Sequence, residues 1–408
     1  MFIDIACAQK KKYNQNAYGD YFTSSRFPNL NRVVAVLSDG LGSGIKANIL
    51  ACMTSTMLLK FLENNSNIEN SCEIIMNSLP VCKVRGISYS TFSAIDCYEN
   101  GKAKIVEEGN PDFIWIRNGE VLKPEYQIIE SKDFKNRKMR VYNIKLEKFD
   151  RIIFCSDGAT QVAMGTREYP LGLERDGLIK IILNKLENDP EISSKDLSNY
   201  LVYKIEQIAP KKELKDDTSI VSLYCRNPRE SLIFTGPPYH QEKDSYYAKT
   251  FMEFEGKKAI SGGTTANIIS RELNIPVVAD MSTTAGKLPG LSKMEGVDLV
   301  TEGILTLTKV LEYLENGNSQ KDSARILMDF MLNSDCVNFM VGAQMNKAHY
   351  DPSLPIEIEI RKNVIKQIAK VLEEKYLKKV SVQFIWGVYY GKDSSKSLFR
   401  NNMFCNGW

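Results

Sequence analysis

"VVAVLSDGLGSGIKANILACMTSTMLLKFLE", residues 33–63, decides the fold of the first half of this chain. The β-branched run from Val33 to Leu37 reads as a buried strand, and Ser38-Asp39-Gly40 ends it. Gly40, Gly42 and Gly44 follow at two-residue spacing and lead into a long helix, whose apolar residues Ile45, Ile49, Met53, Met57 and Phe61 recur four apart. That helix is apolar enough to expect protein cover over most of it. A glycine loop ahead of a helix N-terminus exposes amides that favour an anionic group such as phosphate.

The same ending recurs along the chain. "RIIFCSDGATQ", residues 151–161, stops at Ser156-Asp157-Gly158, "LKDDTSIVSLY" places Asp216 and Asp217 before another apolar run, and "YGDYF" carries Asp20. Each acid-glycine step alone is a turn signal, because aspartate and glycine favour turns. Together they suggest carboxylates gathered at the ends of neighbouring strands. Oxygen-only ligands of that kind suit hard divalent cations, Mg²⁺ or Mn²⁺. Two such cations can activate a water and polarise a phosphoryl oxygen without a protein nucleophile.

The bulk composition narrows the alternatives. A length of 408 residues allows two domains, and a formal charge of +3 with no basic-aromatic cluster argues against nucleic acid. No uninterrupted apolar stretch approaches ~18 residues, so no membrane span is expected. The opening "MFIDIACAQKKKY" runs from apolar to lysine, the reverse of a secretory signal. Nine cysteines without a C-x-x-C pair read as reduced thiols, and a cytoplasmic protein is expected. Only His240 and His349 are present, which disfavours histidine-based catalysis and leaves the chemistry to carboxylates.

Read in order, residues 1–225 hold strands at "MFIDIACAQK", after "YGDYF", and at "RVVAVLSDG", with helices at 45–63 and at "CEIIMNSL" (72–79). A meander of four antiparallel strands is expected between Tyr89 and Tyr126, punctuated by Glu99-Asn100-Gly101, Gly109-Asn110-Pro111 and Asn118-Gly119. "RIIFCSDG", two helical windows and "TSIVSLYC" complete an α+β unit. The polar joint "CRNPRES", 225–231, marks the boundary. Beyond it, a C-terminal α/β domain over 226–408 is expected. "KKAISGGTTANIISRELNIPVVADM" reads there as strand, glycine turn, helix and strand, and "MEGVDLVTEGILTLTKVLEYLENG" as a long helix ended by glycine. "PIEIEIRKNVIKQIAKVLEEKYLKK" reads as a strand passing into a helix, and "VSVQFIWGVYY" as a last strand.

Taken in order, "YGDYF", "AVLSDGLGSGIKANILA", "STFSAIDCYENGKAKIVEEGNPDFIWIRNGE", "FDRIIFCSDGATQ" and "KDDTSIVSLY" resemble the metal-dependent protein phosphatases (the PPM family), in the SpoIIE-type bacterial serine phosphatase branch. The resemblance covers roughly residues 1–225. It implies a β-sandwich of two antiparallel sheets flanked by helices, and removal of phosphate from phosphoserine or phosphothreonine with two Mn²⁺ or Mg²⁺ ions. By the same resemblance Asp39 is the bridging ligand with the Gly40 carbonyl beside it. Asp20, Asp157 and Asp216 complete the metal set, and Asp39, Asp157 and Asp216 are the catalytic acids. Asp217 is the less favoured alternative to Asp216. The phosphate-clamping arginine of eukaryotic relatives has no counterpart, and Lys46 is a candidate for that contact.

The C-terminal segment resembles the extension of a group of anaerobe phosphatases, some of them hydrogenase-associated. Its "SGGTTAN" turn, Gly262-Gly263-Thr264-Thr265, can be read as a capped strand-to-helix turn or as an anion-binding loop; it lacks the ending of a Walker loop. The expected partner is a phosphoprotein, with no nucleic acid and no membrane, and a homo-dimer is compatible with the reading. Because the phosphatase pattern begins almost at Met1, built-in regulation is expected from residues 226–408 or a separate partner. Two rival readings stand: a pseudo-phosphatase scaffold that binds a phosphoprotein without turnover, and a protein that binds a nucleotide or phosphometabolite through its C-terminal domain.

Overall fold

A computed structural model describes residues 1–27, 30–42, 44–64, 70–71, 73–75, 90–130, 138–279, 290–317, 320, 322–342, 354–376 and 378–385, without the side chains of 354–358. Much of the helix expected over 72–79, the last strand beyond residue 385, and His349 lie outside the described residues. The chain divides into two compact units, Met1–Asn227 and Pro228–Trp408.

Unit 1 is built on two antiparallel sheets. The first has the order β1 (Phe2–Lys10), β11 (Thr218–Arg226), β10 (Arg151–Cys155), β6 (Ile114–Arg117), β7 (Glu120–Leu122). The second has the order β2 (Asp20–Phe27), β3 (Arg32–Gly40), β4 (Ser90–Tyr98), β5 (Lys102–Glu108), β9 (Lys138–Lys145), β8 (Gln127–Glu130). Alternation decides which side chains meet. Val33, Ala35 and Leu37 of β3 join Ile95, Ile105, Phe154, Val221 and Leu223 between the sheets. Val34 and Val36 face the other way, under α1 (Ile45–Glu63). The outer face of the first sheet is covered by α3 (Glu174–Asn188) and α4 (Ser194–Ile208), through Leu178, Ile182, Leu197, Leu201 and Ile205. α4 starts with Ser193, whose side chain accepts from the Asp196 amide as an N-cap. The result is a four-layer α+β sandwich, the architecture that the resemblance implies.

Two expectations for this unit need correction. The four-strand meander is split: β4 and β5 pair in the second sheet, whereas β6 and β7 belong to the first. The chain therefore changes sheets at Gly109-Asn110-Pro111, where a turn signal looks the same whether or not its strands pair. The first three residues of the α1 stripe face outward, with Ile45, Ile49 and Met53 at 69%, 51% and 49% exposure, while Met57 and Phe61 are half-buried against the core. The inner face carries Ala47, Ala51, Thr54, Ser55, Leu58, Leu59 and Leu62. By length and composition α1 could cross a membrane, yet it packs over β2, β3 and β4.

Unit 2 has a seven-stranded sheet, β14 (Val278–Ala279), β15 (Ser292–Met294), β16 (Val297–Thr301), β13 (Lys257–Ser261), β12 (Glu230–Thr235), β17 (Cys336–Gly342), β18 (Lys379–Ile385). The last five in this order are parallel, and β14–β15–β16 run antiparallel at one edge. α5 (Asp244–Met252) and α6 (Gly263–Leu273) cover one face. α7 (Ile304–Asn316), α8 (Ser323–Leu332) and α9 (Leu354–Glu374) cover the other. Two expectations change here. Val297–Thr301, read as the start of a helix, is strand β16, and 355–360, read as a strand, opens helix α9. Ile356 and Ile360 continue the four-residue spacing of Val364 and Ile368 backwards, so helical period prevails over the local Ile-Glu alternation.

Candidate metal centre

Asp20 and Asp39 are direct register partners on the antiparallel strands β2 and β3. Cross-strand partners project to the same side, and two carboxylates so placed repel unless a proton or cation intervenes. Asp39 shares the parity of Val33, Ala35 and Leu37, so the pair sits at the edge of the space between the sheets. There Asp20 is 2% exposed and accepts from the Ser219 hydroxyl of β11 at 2.6 Å, tying the two sheets together. Ser219 in turn receives its register from Ser156: its amide donates to Ser156 Oγ at 3.0 Å, and the Ser156 amide donates to the Ser219 carbonyl at 3.1 Å.

Asp157 opens the short helix α2 (Asp157–Thr160) directly after β10, and its Oδ2 accepts from Gln161 Nε2 at 3.1 Å. Asp216 accepts the Asp217 amide at 2.9 Å and is partly exposed. Asp217 is 3% exposed and accepts the backbone amides of Lys12 at 2.9 Å and Gly19 at 2.7 Å. Both its oxygens are thus used to clamp the turn that delivers Asp20. Two glycines permit this density. A Cβ at Gly40 would stand 2.0 Å from the Ala47 carbonyl oxygen of α1, and one at Gly158 would stand 2.1 Å from the Asp217 carbonyl oxygen.

The electrostatics bind the four acids into one group. Burial first, then the charges of Asp20, Asp157 and Asp216, push the Asp39 carboxyl up to about 10. Burial likewise raises Asp20 to about 7, against the Ser219 and Ser156 hydroxyls, which favour its charged form. Asp216 is raised as well, by burial first and with Asp157 among the charges that add to it. Among the described residues, no three His, Cys, Asp or Glu side chains stand at the spacing of a single metal ion. Lys46 is exposed in the first turn of α1, and no ion pair to it occurs among the described residues. In unit 2, Gly262 is the N-cap of α6, with Gly263 and Thr264 exposed and Thr265 buried.

The chemistry of this donor set suits a hard divalent cation. All the donors are oxygens, they are short of countercharge, and the raised proton affinity of Asp20, Asp39 and Asp216 is the mark of a site awaiting positive charge. Sequence reading did not anticipate the Ser156–Ser219 pair or the clamping role of Asp217. The signal available was weak: a serine two residues after the Asp216-Asp217 pair, and another just before Asp157.

Two antiparallel sheets packed between helices, with acids collected at one edge of the sandwich, give unit 1 the PPM phosphatase fold. Residues 30–226 match the family model described as stage II sporulation protein E (SpoIIE). Among solved structures the chain is similar to the phosphatase domain of the cell-fate determinant SpoIIE from Bacillus subtilis, at 18% identity and a TM-score of 0.42, covering 55% of this chain and 93% of that one. It is also similar to RsbX in complex with magnesium, at 19% identity and a TM-score of 0.39, covering 54% of this chain and 94% of that one. A third is the PPM Ser-Thr phosphatase MsPP from Mycobacterium smegmatis in complex with cacodylate, at 14% identity and a TM-score of 0.37, covering 55% of this chain and 98% of that one. No curated protein matches the chain.

Proposed function

We propose that unit 1 is a Mn²⁺- or Mg²⁺-dependent phosphatase acting on phosphoserine or phosphothreonine in a protein substrate. The observation that carries this reading is the opposed pair Asp20, buried, and Asp39, half-buried, at the sandwich edge and electrostatically coupled to Asp157 and Asp216. Asp39 has the central place in that group, since the charges of all three other acids act on it. When bound, two hard cations supply neutralising charge for phosphoryl oxygens and an acidified water. The chain's own contribution is position. Ser219 holds Asp20, Asp217 fixes the Gly19 turn, and Gln161 orients Asp157. Gly40 lets the Asp39 strand end lie against α1.

Asp39→Asn tests the proposal. Outer partners of metal ligands typically matter by 10–100-fold, so loss of a shared ligand should lower turnover of a phosphopeptide by at least about 100-fold. The circular dichroism spectrum should not change. Undiminished turnover in the folded variant, or in protein stripped of divalent ions, would overturn the assignment. Tight phosphopeptide binding by the wild type with metal present, and no turnover, would establish the scaffold reading instead.

A further inference from the structure

We propose that unit 2 carries a binding site for the phosphate group of a small molecule, at the carboxyl edge of β13 and β16, where the N-termini of α6 and α7 meet. The site is independent of the phosphatase reading of unit 1.

The sheet topology creates the cleft. After β13 the chain enters α6, whose Ala266 and Ile269 pack with Phe234, Ile260 and Val300. After the neighbouring strand β16 it enters α7, whose Leu307 and Val310 pack with Ile233, Ala259 and Leu299. Ala259 and Ile260 are consecutive in β13, so these clusters lie on opposite faces of the sheet. Two helices leaving adjacent parallel strands for opposite faces open a crevice at the carboxyl edge, where ligands of such sheets bind. The neighbouring position between β12 and β17 is closed. A Cβ at Gly342 would stand 2.2 Å from the Pro237 carbonyl oxygen and 2.3 Å from that of Gly236.

Both helices begin uncapped in this crevice. Gly262 and Gly303 are their N-caps, and neither start has a side-chain cap. The first amides of an α-helix have no acceptor within it, so two sets of orphan donors converge here. They are close, since a Cβ on Gly303 would lie 3.6 Å from Gly262 Cα. At Gly263 a Cβ would meet nothing within 4 Å, so the approach is open.

Independent evidence for a ligand comes from the hydroxyls. Thr265, in the first turn of α6, is 1% exposed, and its Oγ1 has no hydrogen-bond partner. That oxygen stands 3.4 Å from the Cβ position of Gly262, facing the glycine's open side. Thr306, in the first turn of α7, is fully buried with Oγ1 equally unpartnered, and so is Thr235 at the end of β12. Ser261 and Thr301, at the same level of the sheet, both donate to the Glu302 carbonyl oxygen, fixing the loop that presents α7. Buried hydroxyls without partners are costly. Orphan amides from two helix starts together with spare hydroxyls match the several acceptor oxygens of a phosphate group. Exposed Glu302 lies in the same loop and limits the charge the site tolerates.

Isothermal titration of the full-length protein in EDTA, which keeps metal-assisted phosphate binding at unit 1 silent, tests the proposal with inorganic phosphate, pyrophosphate and ADP. At least one of the three should bind. Thr265→Val should weaken it at least fivefold while leaving the ligand-free melting temperature unchanged or higher, because the lost hydroxyl had no partner. Gly263→Glu should abolish binding while preserving the fold, since it brings a carboxylate to the helix start, and Glu302→Gln should tighten it. ADP tighter than phosphate would identify a nucleotide, and equal affinities would identify the phosphate moiety alone as the recognised group. Failure of all three ligands to bind the wild type would overturn the site, as would binding unchanged by both Thr265→Val and Gly263→Glu.

Discussion

Divalent-metal binding to unit 1 should release protons, in a number that falls as pH rises. Asp39 is held at about 10 and Asp20 at about 7, chiefly by burial. A group at 7 is roughly 90% protonated at pH 6 and roughly 10% at pH 8, while one at 10 is fully protonated at the first and about 99% at the second. The opposed pair therefore carries about two protons at pH 6 and about one at pH 8, a count that belongs to the pair rather than to either residue. A cation entering between them displaces those protons. The assay is calorimetric titration with Mn²⁺ or Mg²⁺ in buffers of different ionisation enthalpy, which counts protons directly. The apparent affinity should rise about 100-fold per pH unit near pH 6 and about tenfold near pH 8. Asp20→Asn should leave about one proton released at both values. Tight binding with no proton release at pH 6 would refute the reasoning, since it would mean that the cation does not enter between Asp20 and Asp39.

The two neighbouring acids at the start of β11 should separate by their effects. Asp216→Asn should weaken metal binding with little change in melting temperature. Asp217→Ala should lower stability by about 1–3 kcal/mol by stranding the Lys12 and Gly19 amides, a scale set by unpaired buried donors; the reverse pattern in metal titration and thermal melts would exchange their roles. Glu107 gives a pH-dependent stability test away from the metal ligands. It is fully buried, accepts from the Phe113 amide and the Ser93 hydroxyl, and is raised to about 8, first by burial. A carboxyl raised on folding makes the folded state bind more protons, so stability falls as pH rises from the ordinary glutamate value toward 8. Glu107→Gln should match the wild type near pH 5 and gain on it by roughly 1 kcal/mol per pH unit across that window, read from denaturant unfolding. Parallel curves for the two proteins would exclude the effect.

How much of this could be read from the sequence differs by element. The strand-ending acids were legible because an apolar run closed by Asp-Gly has one common structural meaning, and two such closures, with the Asp216-Asp217 step ahead of a third apolar run, form a pattern. The direction of α1 was not. Periodicity follows the largest side chains, and Ile45, Ile49 and Met53 form a perfect stripe. Over the first three turns the packed face instead uses small residues, because the helix lies close enough for Ser55 Oγ to donate to Ser38 Oγ at 2.8 Å and for Ala47 to abut Gly40, before Leu58, Leu59 and Leu62 take over. Close approach is a tertiary fact, and no count of hydrophobicity along one segment contains it. The sheet change after β5 was hidden for a related reason. A Gly-Asn-Pro turn specifies a reversal or an exit, and the choice rests on where the next strand finds edge partners, here β10 rather than β5.

The two ends of the chain apply one physical rule with opposite signs. In unit 1 the strand ends collect carboxylates, and the groups that touch them are neutral: the Ser219 hydroxyl, the Gln161 amide, and the backbone of Asp217. No lysine or arginine bonds to Asp20, Asp39, Asp157 or Asp216 among the described residues. Neutral partners orient a carboxylate without cancelling its charge, so the negative field is kept for a cation. In unit 2 the helix starts collect amides, and the adjoining hydroxyls of Thr265 and Thr306 are neutral as well. Placing an acid at either N-cap would have capped the helix and filled the site with the protein's own charge. Glycine at both positions leaves the donors available. In each unit the local cost in folding stability is the free energy that a ligand of the right sign can recover, which makes the acid cluster and the paired helix starts two facets of a single argument from electrostatics.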